Sequence, residues 1–274
     1  EQDGARGVVA MRRVEAIGFL AGVTSTDTVR GRTAWSGIGS HASDEPESYA
    51  AMYAALAEGW VGMGFLEHYV VVTPAEDVMQ TWFHLGFGME QVHALTATAG
   101  VPEPHPERGL SIRRAARDDL DAVRPLVSVI GEYQATSPVF AAHLPEFAAE
   151  YERGHADLLA DERVGYFVAE RDGRVVAFVA MIPAESGDAD LHVPDRCVEL
   201  SVAATLPEHR GSGVMTALVQ QALAWARADG FETCLTDWRS TNPLSSAFWP
   251  RFGFEPAAYR LHRTIDARAS KSVR

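Results

Sequence analysis

The run Leu206-Pro-Glu-His-Arg-Gly-Ser-Gly-Val-Met-Thr-Ala-Leu218 constrains the fold more than any other stretch of this chain. Arg210, Gly211 and Gly213 form a turn that opens directly into the apolar stripe Val214, Met215, Leu218, Ala222 and Trp225, which ends at Gly230. That spacing predicts a helix, and the preceding Cys197-Val-Glu-Leu-Ser-Val-Ala-Ala-Thr205 reads as a strand. A helix start leaves backbone N–H groups unpaired, and small residues let an anion come close enough to be held by them. The turn is therefore a candidate seat for a pyrophosphate. Such turns also simply cap helices, so the motif alone leaves both roles open.

The flanking segments narrow the choice. Glu232-Thr-Cys-Leu-Thr-Asp237 reads as a strand, Asn242 opens a helix holding Phe248 and Trp249, and Gly253-Phe254 leads into a last strand through Tyr259 to Ile265. Upstream, Leu110-Ser-Ile-Arg-Arg114 reads as a strand, with Asp118 as the expected N-cap of the helix that follows. Tyr166 to Ala180 reads as a hairpin turned at Asp172-Gly173. This order, over residues 110 to about 266, resembles the GNAT superfamily of N-acetyltransferases. The resemblance implies an α/β (α+β) fold, a mixed and mostly antiparallel sheet flanked by helices. It also implies an acyl-CoA co-substrate, acetyl-CoA or another acyl-CoA, contacted by Ala204, Thr205, Leu206, Arg210, Gly211, Ser212, Gly213, Val214, Met215, Asn242 and Trp249. Met215 departs from the family, which usually has Gly or Ala there. Its side chain is bulky but unbranched, and so able to swing aside.

Residues before this region repeat part of it. Trp82-Phe-His-Leu-Gly-Phe87 matches Trp249-Pro-Arg-Phe-Gly-Phe254 at a shift of 167, and Gly18-Phe-Leu-Ala-Gly22 resembles Ala177-Phe-Val-Ala-Met181 at a shift of 159. Tandem GNAT-like units follow from this, the first incomplete because it begins at the hairpin. Prolines 102, 104 and 106 suggest a stiff spacer, so the expected division is a degenerate unit over 1–100, a Pro-rich linker over 101–109, an acyl-CoA-binding unit over 110–267 and a tail over 268–274. Setting Met52 against Met215 places Glu47, Ser48 and Ala50 where the second unit has Arg210, Gly211 and Gly213, and Ser36 where it has Glu199. With Asp44 and Glu45 adding acid, the first unit would repel an anion. Only the second unit is expected to offer compact backbone donors without nearby carboxylates. Trp35, Tyr49, Tyr53 and Trp60 of the first unit fit either a cleft lining or a core.

The formal charge of −13 divides almost evenly, with 5 basic and 12 acidic side chains in residues 1–100 and 19 and 25 in residues 101–274. No basic stripe suits nucleic acid, and an acidic surface is compatible with a cationic amine. Lys271 is the only lysine, so a side-chain phosphate contact must come from arginine, with Arg210 the evident candidate. Cys197 and Cys234 sit in predicted buried strands without metal-ligand spacing, and the ten His residues form no metal-ligand pair. No apolar run approaches a bilayer span and the first residues lack a signal-peptide pattern, so the chain reads as soluble and cytoplasmic.

Amine acylation by a thioester needs a neutral amine, donors for the developing oxyanion and a proton for the leaving thiolate. The resemblance makes Glu199 the first candidate base; its alternation with Leu200 equally fits an outward strand residue. Asp237, at the end of the next strand, is the second candidate or a turn residue. The expected oxyanion donor is a backbone N–H near Thr205 or Leu206. Where the family commonly has a tyrosine as acid, this chain has Trp249, whose indole does not titrate, leaving Tyr259, Asp237 or solvent. Acceptor choice is expected in residues 128–160, where Gly131-Glu-Tyr-Gln-Ala-Thr-Ser-Pro138 interrupts helical patterning and Glu132 and Tyr133 could meet a small-molecule or peptide amine. The competing expectation is a non-catalytic, CoA-responsive binding module.

Overall fold

The computed structural model describes residues 4–187 and 190–269; residues 270–274, which hold Lys271 and most of the expected tail, lie outside the described residues. In chain order the first elements are β1 (Arg6–Arg12), β2 (Glu15–Asp27), β3 (Gly31–Ser36), β4 (His41–Ser43), α1 (Ser48–Gly62), β5 (Glu67–Val72), α2 (Glu76–His84) and β6 (Gly88–Ala97). There follow β7 (Leu110–Arg114), α3 (Leu120–Val127), α4 (Val129–Gln134), α5 (Ala148–Ala160), β8 (Gly165–Arg171) and β9 (Arg174–Pro183). The last are β10 (Cys197–Thr205), α6 (Val214–Ala228), β11 (Thr233–Arg239), α7 (Pro243–Phe248) and β12 (Glu255–Thr264).

The chain forms two compact units, and they do not part at the proline-rich segment. The first holds residues Glu1–His93, Ser186–Val193 and Pro256–Arg274, and the second holds Ala94–Glu185 and Pro194–Glu255. The final strand, read from sequence as part of the second unit, instead joins the first: β12 pairs antiparallel with β5 from Tyr259 opposite Val72 to Thr264 opposite Glu67. Alternating burial tells which face of a strand is inward but not which edge it joins, so the sequence pattern could not assign this partner. Residues 101–109 belong to the second unit, where Glu103 pairs with Arg227 of α6 at 3.0 Å.

In the first unit the strand order is β1-β2-β3-β5-β12-β6, with β4 also paired to β2. One face is closed by α1 and α2, whose Tyr49, Met52, Tyr53, Leu56, Trp60 and Trp82 pack on Val70, Val72 and Leu261. Tyr49, Tyr53 and Trp60 are thus core residues. The opposite face carries Trp35, Tyr69 and His262 in a stacked row, with ring centroids 4.2 and 4.4 Å apart.

In the second unit the order is β11-β10-β9-β8-β7, antiparallel except where β10 and β11 run parallel. The α6 stripe Val214, Leu218, Val219, Ala222, Leu223 and Ala226 is buried, as its spacing requires. Val123, Leu126 and Leu159 of α3 and α5 pack on Tyr166, Val168, Phe178 and Ala180 of β8 and β9. The α3 N-cap is Asp119, not the expected Asp118, because a short 3-10 turn over Arg117–Asp119 precedes the helix. Asp119 accepts from the Ala116 N–H at 2.7 Å and from the Arg113 guanidinium at 2.7 Å.

The internal repeat has a physical basis. Gly86 (φ +82°) and Gly253 (φ +75°) occupy the left-handed region that favours glycine, and their N–H groups donate to the Phe83 and Pro250 carbonyls. Each turn folds its Phe edge-on to its Trp, at 5.0 Å for Trp82–Phe87 and 5.6 Å for Trp249–Phe254. Strand register revises the finer matches. The parallel pairing runs Thr33–Ser36 against Glu67–Val70 and Cys197–Leu200 against Thr233–Thr236, so the counterpart of Glu199 is Trp35 and not Ser36. Ser36 is buried on the α1 side of its strand. Likewise Glu47 precedes α1 as Gly213 precedes α6, three positions from the match read in sequence, although an acid still stands at that helix start.

Candidate functional site

The seat is built by a turn that ties up its own polar groups and leaves the helix start open. The His209 and Arg210 N–H groups donate to the Leu206 and Pro207 carbonyls at 2.9 and 3.2 Å, and the Ser212 hydroxyl donates to the His209 carbonyl at 2.7 Å. Gly211 (φ +74°) and Gly213 (φ +77°) then reverse the backbone into α6. The helix ladder begins with the Ala217 N–H on the Gly213 carbonyl, so Val214, Met215 and Thr216 keep their N–H groups outside it. A Cβ at Gly211 would meet nothing within 4 Å. The residues present therefore fit a pyrophosphate: positively poled, and open at Gly211. Met215 is only half-buried at the first turn. Arg210 lies with its guanidinium 5.1 Å from the Tyr133 ring centroid, so Tyr133 of α4 supports the loop cation. The expectation that no carboxylate is near is corrected: Glu107 Oε1 stands 3.6 Å from where a Gly213 Cβ would be.

Upstream of the seat β10 parts from β11. Their parallel pairing ends at Leu200 opposite Thr236, and the β9–β10 register shifts between Leu200 and Val202, making Ser201 the extra residue of a bulge. From Val202 to Thr205 β10 pairs with β9. Leu206, one of the two expected oxyanion donors, has its N–H committed to the Val176 carbonyl at 2.9 Å. Antiparallel pairing alternates the direction of successive N–H groups, so the Ala203 and Thr205 N–H groups point away from β9, to the side that β11 has left. Thr205 Oγ1 is buried with no hydrogen-bond partner there. Ala204, in contrast, is buried against the α3 side core.

Glu199 lies just before the bulge, opposite Ile182 and Leu235, on the sheet face that Ile182 shares with the α3–α5 layer. Burial holds its carboxyl above the usual carboxylate range, and the like charge of Asp237 adds to that. Asp237 is two residues beyond Leu235 and so on the same face. The pair, an acid raised by its setting beside a second carboxylate, is a better proton acceptor than an ordinary exposed carboxylate. Cys197 and Cys234 are free, buried thiols with pKa values pushed up by burial, an environment that suppresses reactivity. Among the described residues no group of three or more His, Cys, Asp or Glu is placed to hold a metal.

The remaining candidates have structural duties. Asn242 caps α7, its side-chain oxygen accepting from the Leu244 and Ser245 N–H groups at 3.1 and 3.2 Å. Trp249 is 7% exposed and packed edge-on to Phe248 and Phe254, and its indole N–H does not titrate. Tyr259 belongs to the other compact unit and packs against that unit's core, so the second unit does not bring it to Glu199. The phenol that the second unit does bring to the loop is Tyr133, whose signal in sequence was its place in the break after Ile130. Glu132, its neighbour, is exposed.

Comparison with known proteins agrees with this geometry. Residues 130–254 match the family model for acetyltransferases of the GNAT family. Uncharacterized N-acetyltransferases of Mycobacterium bovis and Mycobacterium tuberculosis are 32% identical over 108 residues, which is 39% of this chain and 64% of each relative. Among solved structures, a tandem GNAT protein from the clavulanic acid biosynthesis pathway is similar with a TM-score of 0.57 at 14% identity, covering 96% of this chain and 83% of that one. A GCN5-related N-acetyltransferase from Sphaerobacter thermophilus gives a TM-score of 0.59 at 12% identity over 91% and 77%. These two share the fold. Among the described residues no helix is long and apolar enough to cross a membrane. The family model thus lies over the seat, its two strands and α7, and the chain is similar in fold to a tandem GNAT protein over most of its length.

Proposed function

We propose that the second unit transfers an acyl group from an acyl-CoA, acetyl-CoA foremost, directly to a primary amine on a small molecule or peptide. The observation that carries this reading is the order along one strand: a carboxyl with a raised pKa at Glu199, a bulge at Ser201 where β11 leaves β10, and an open helix start beyond Thr205. When bound, acyl-CoA supplies the activated thioester. The N–H groups at the start of α6, with Arg210 held by Tyr133, bind and orient its pyrophosphate. The outward N–H groups of Ala203 and Thr205 face the parted strands, where a thioester carbonyl would find donors as charge develops on its oxygen. Glu199 accepts the ammonium proton, directly or through water, and Asp237 keeps it basic enough to do so; the amine nitrogen would form the new C–N bond as the C–S bond breaks, and CoA would leave as the thiolate, taking its proton from solvent.

Support for the chemistry comes from the family model and from the N-acetyltransferase names of the mycobacterial relatives. Thiol release from acetyl-CoA, measured with a panel of primary amines, tests the reading: acceptor-dependent release that Glu199→Gln abolishes is expected. A non-catalytic, CoA-responsive module is the second reading, favoured by one observation, the burial of Trp249 among Phe248 and Phe254 where the family commonly has a tyrosine. CoA binding without thiol release for any amine would decide for it.

A further inference from the structure

The segment 101–109 runs along α6 and ends in a contact with the seat. Glu103 pairs with Arg227 in the last turn of α6, and Glu107 reaches Gly213 at its start. A turn fixes Glu107 in place, since its carbonyl accepts the Leu110 N–H at 3.0 Å and Leu110 is opposite Arg171 in the β7–β8 pairing. Arg171 in turn forms an ion pair with Glu107, at 3.5 Å between its Nη2 and Oε2. One oxygen of this carboxylate thus faces a guanidinium, and the other lies beside Gly213, the residue before α6, whose first-turn N–H groups stand outside the helix ladder. Strand direction places Arg171 at the correct end of the sheet: β8 finishes there, β9 begins there, and Thr205 of β10 is opposite Ala177 near the start of β9.

We propose that Glu107 stands in for a phosphate at the mouth of the seat, and that Arg171 is the cation that passes to a phosphate of the acyl-CoA when this carboxylate is displaced. The inference rests on the reading of the α6 start as the CoA seat. An anion is stabilised at a helix start by the same N–H groups and dipole whether it is a carboxylate or a phosphate, so the two compete for one place. The sequence has one lysine, Lys271, which lies outside the described residues, so the described side-chain cations beside the seat are arginines. Arg210 is stacked on Tyr133. Arg171 is thus the guanidinium already engaged with an anion at the seat, and it can form the charge-assisted bonds that a phosphate accepts. Glu107, at 65% side-chain exposure, is free to swing into water.

Titration calorimetry of the full chain with CoA and with dephospho-CoA, for wild type, Glu107→Gln and Arg171→Gln, tests this. Removing the competing charge in Glu107→Gln should tighten CoA several-fold, whereas Arg171→Gln should weaken it by roughly five- to tenfold. An Arg171 effect confined to CoA assigns the 3′-phosphate; an equal effect on dephospho-CoA assigns the pyrophosphate. Melting curves accompany the titration, because a merely structural Glu107 would lower both Tm and affinity when replaced, and that sign overturns the proposal. CoA binding that neither variant changes also overturns it while leaving the seat intact. Failure of wild type to bind CoA removes the seat and the proposal together.

Discussion

Glu199→Gln separates the proton-transfer role from a packing role, because the two predict different pH dependences. Glu199 is half-buried beside Asp237, and both burial and like charge raise its pKa. The isostere keeps shape and hydrogen bonding but cannot accept a proton. Loss of a general base is expected to cut kcat/KM by roughly 10²–10⁴, or about 3–5 kcal/mol of transition-state stabilisation. CoA affinity should stay within a few-fold, since Glu199 precedes the bulge and the phosphate donors follow it. In kcat/KM against pH, the rising limb of the wild type should fall above the ordinary carboxylate range and vanish in the variant. Stability gives an independent sign. A carboxyl whose folded pKa is raised favours the folded state below its unfolded pKa, and that advantage is lost as pH rises through the folded value. Glu199→Gln should therefore melt higher than wild type at neutral pH, with the gap narrowing as pH falls through the raised folded pKa and closed below about 4.5. An unchanged limb with a near-normal rate would refute the assignment and move the proton to Asp237, or to an amine that arrives already neutral.

The packing of Trp249 predicts that Trp249→Phe leaves turnover within a few-fold, whereas Trp249→Ala costs about 3–5 kcal/mol of stability in denaturant melts. Gly253→Ala and Gly86→Ala should each cost about 1–2 kcal/mol, because alanine is strained at the positive φ of both turns. Burial lowers the pKa values of His41, His68 and His155, and that of His93 to about 3 with help from neighbouring His192. Their unfolded forms bind protons first, so stability should fall as pH drops below about 6.5, by about 1.4 kcal/mol per pH unit for each proton taken up, measurable in urea melts across pH 4–7. Fragment 101–274 lacks β5, which pairs with all six residues from Tyr259 to Thr264, and is expected to aggregate. A soluble, fully active fragment would contradict the assignment of β12 to the first unit.

Much of the second unit was legible in the sequence for local reasons. The span Cys197–Thr205 is the observed β10, Leu110–Arg114 is β7, and the turn at Asp172-Gly173 has both residues at positive φ, as a two-residue hairpin demands. Glycine and alternation signals are short-range, and they report short-range structure. Partners distant in sequence were not legible. Nothing within β12 says that its neighbour is β5, and nothing in the prolines near 104 says that Glu103 and Glu107 fasten to α6. The match of Ser36 to Glu199 failed by one residue, which in a strand of period two exchanges faces and puts Trp35 in that place. At the candidate site, the helix start could be read from residue type, whereas Glu199 was singled out by the resemblance. The commitment of the Leu206 N–H to Val176, and the removal of Tyr259 to the other unit, depend on register.

The proposed function requires that the second unit carry a working CoA seat and the first none. Calorimetric titration of the full chain with CoA tests it most directly, with Arg210→Glu as the paired variant. One site per chain is expected, weakened at least tenfold by Arg210→Glu as an attractive phosphate contact becomes a repulsion beside the α6 start. Two equivalent sites, or a single site indifferent to Arg210→Glu, would contradict the account.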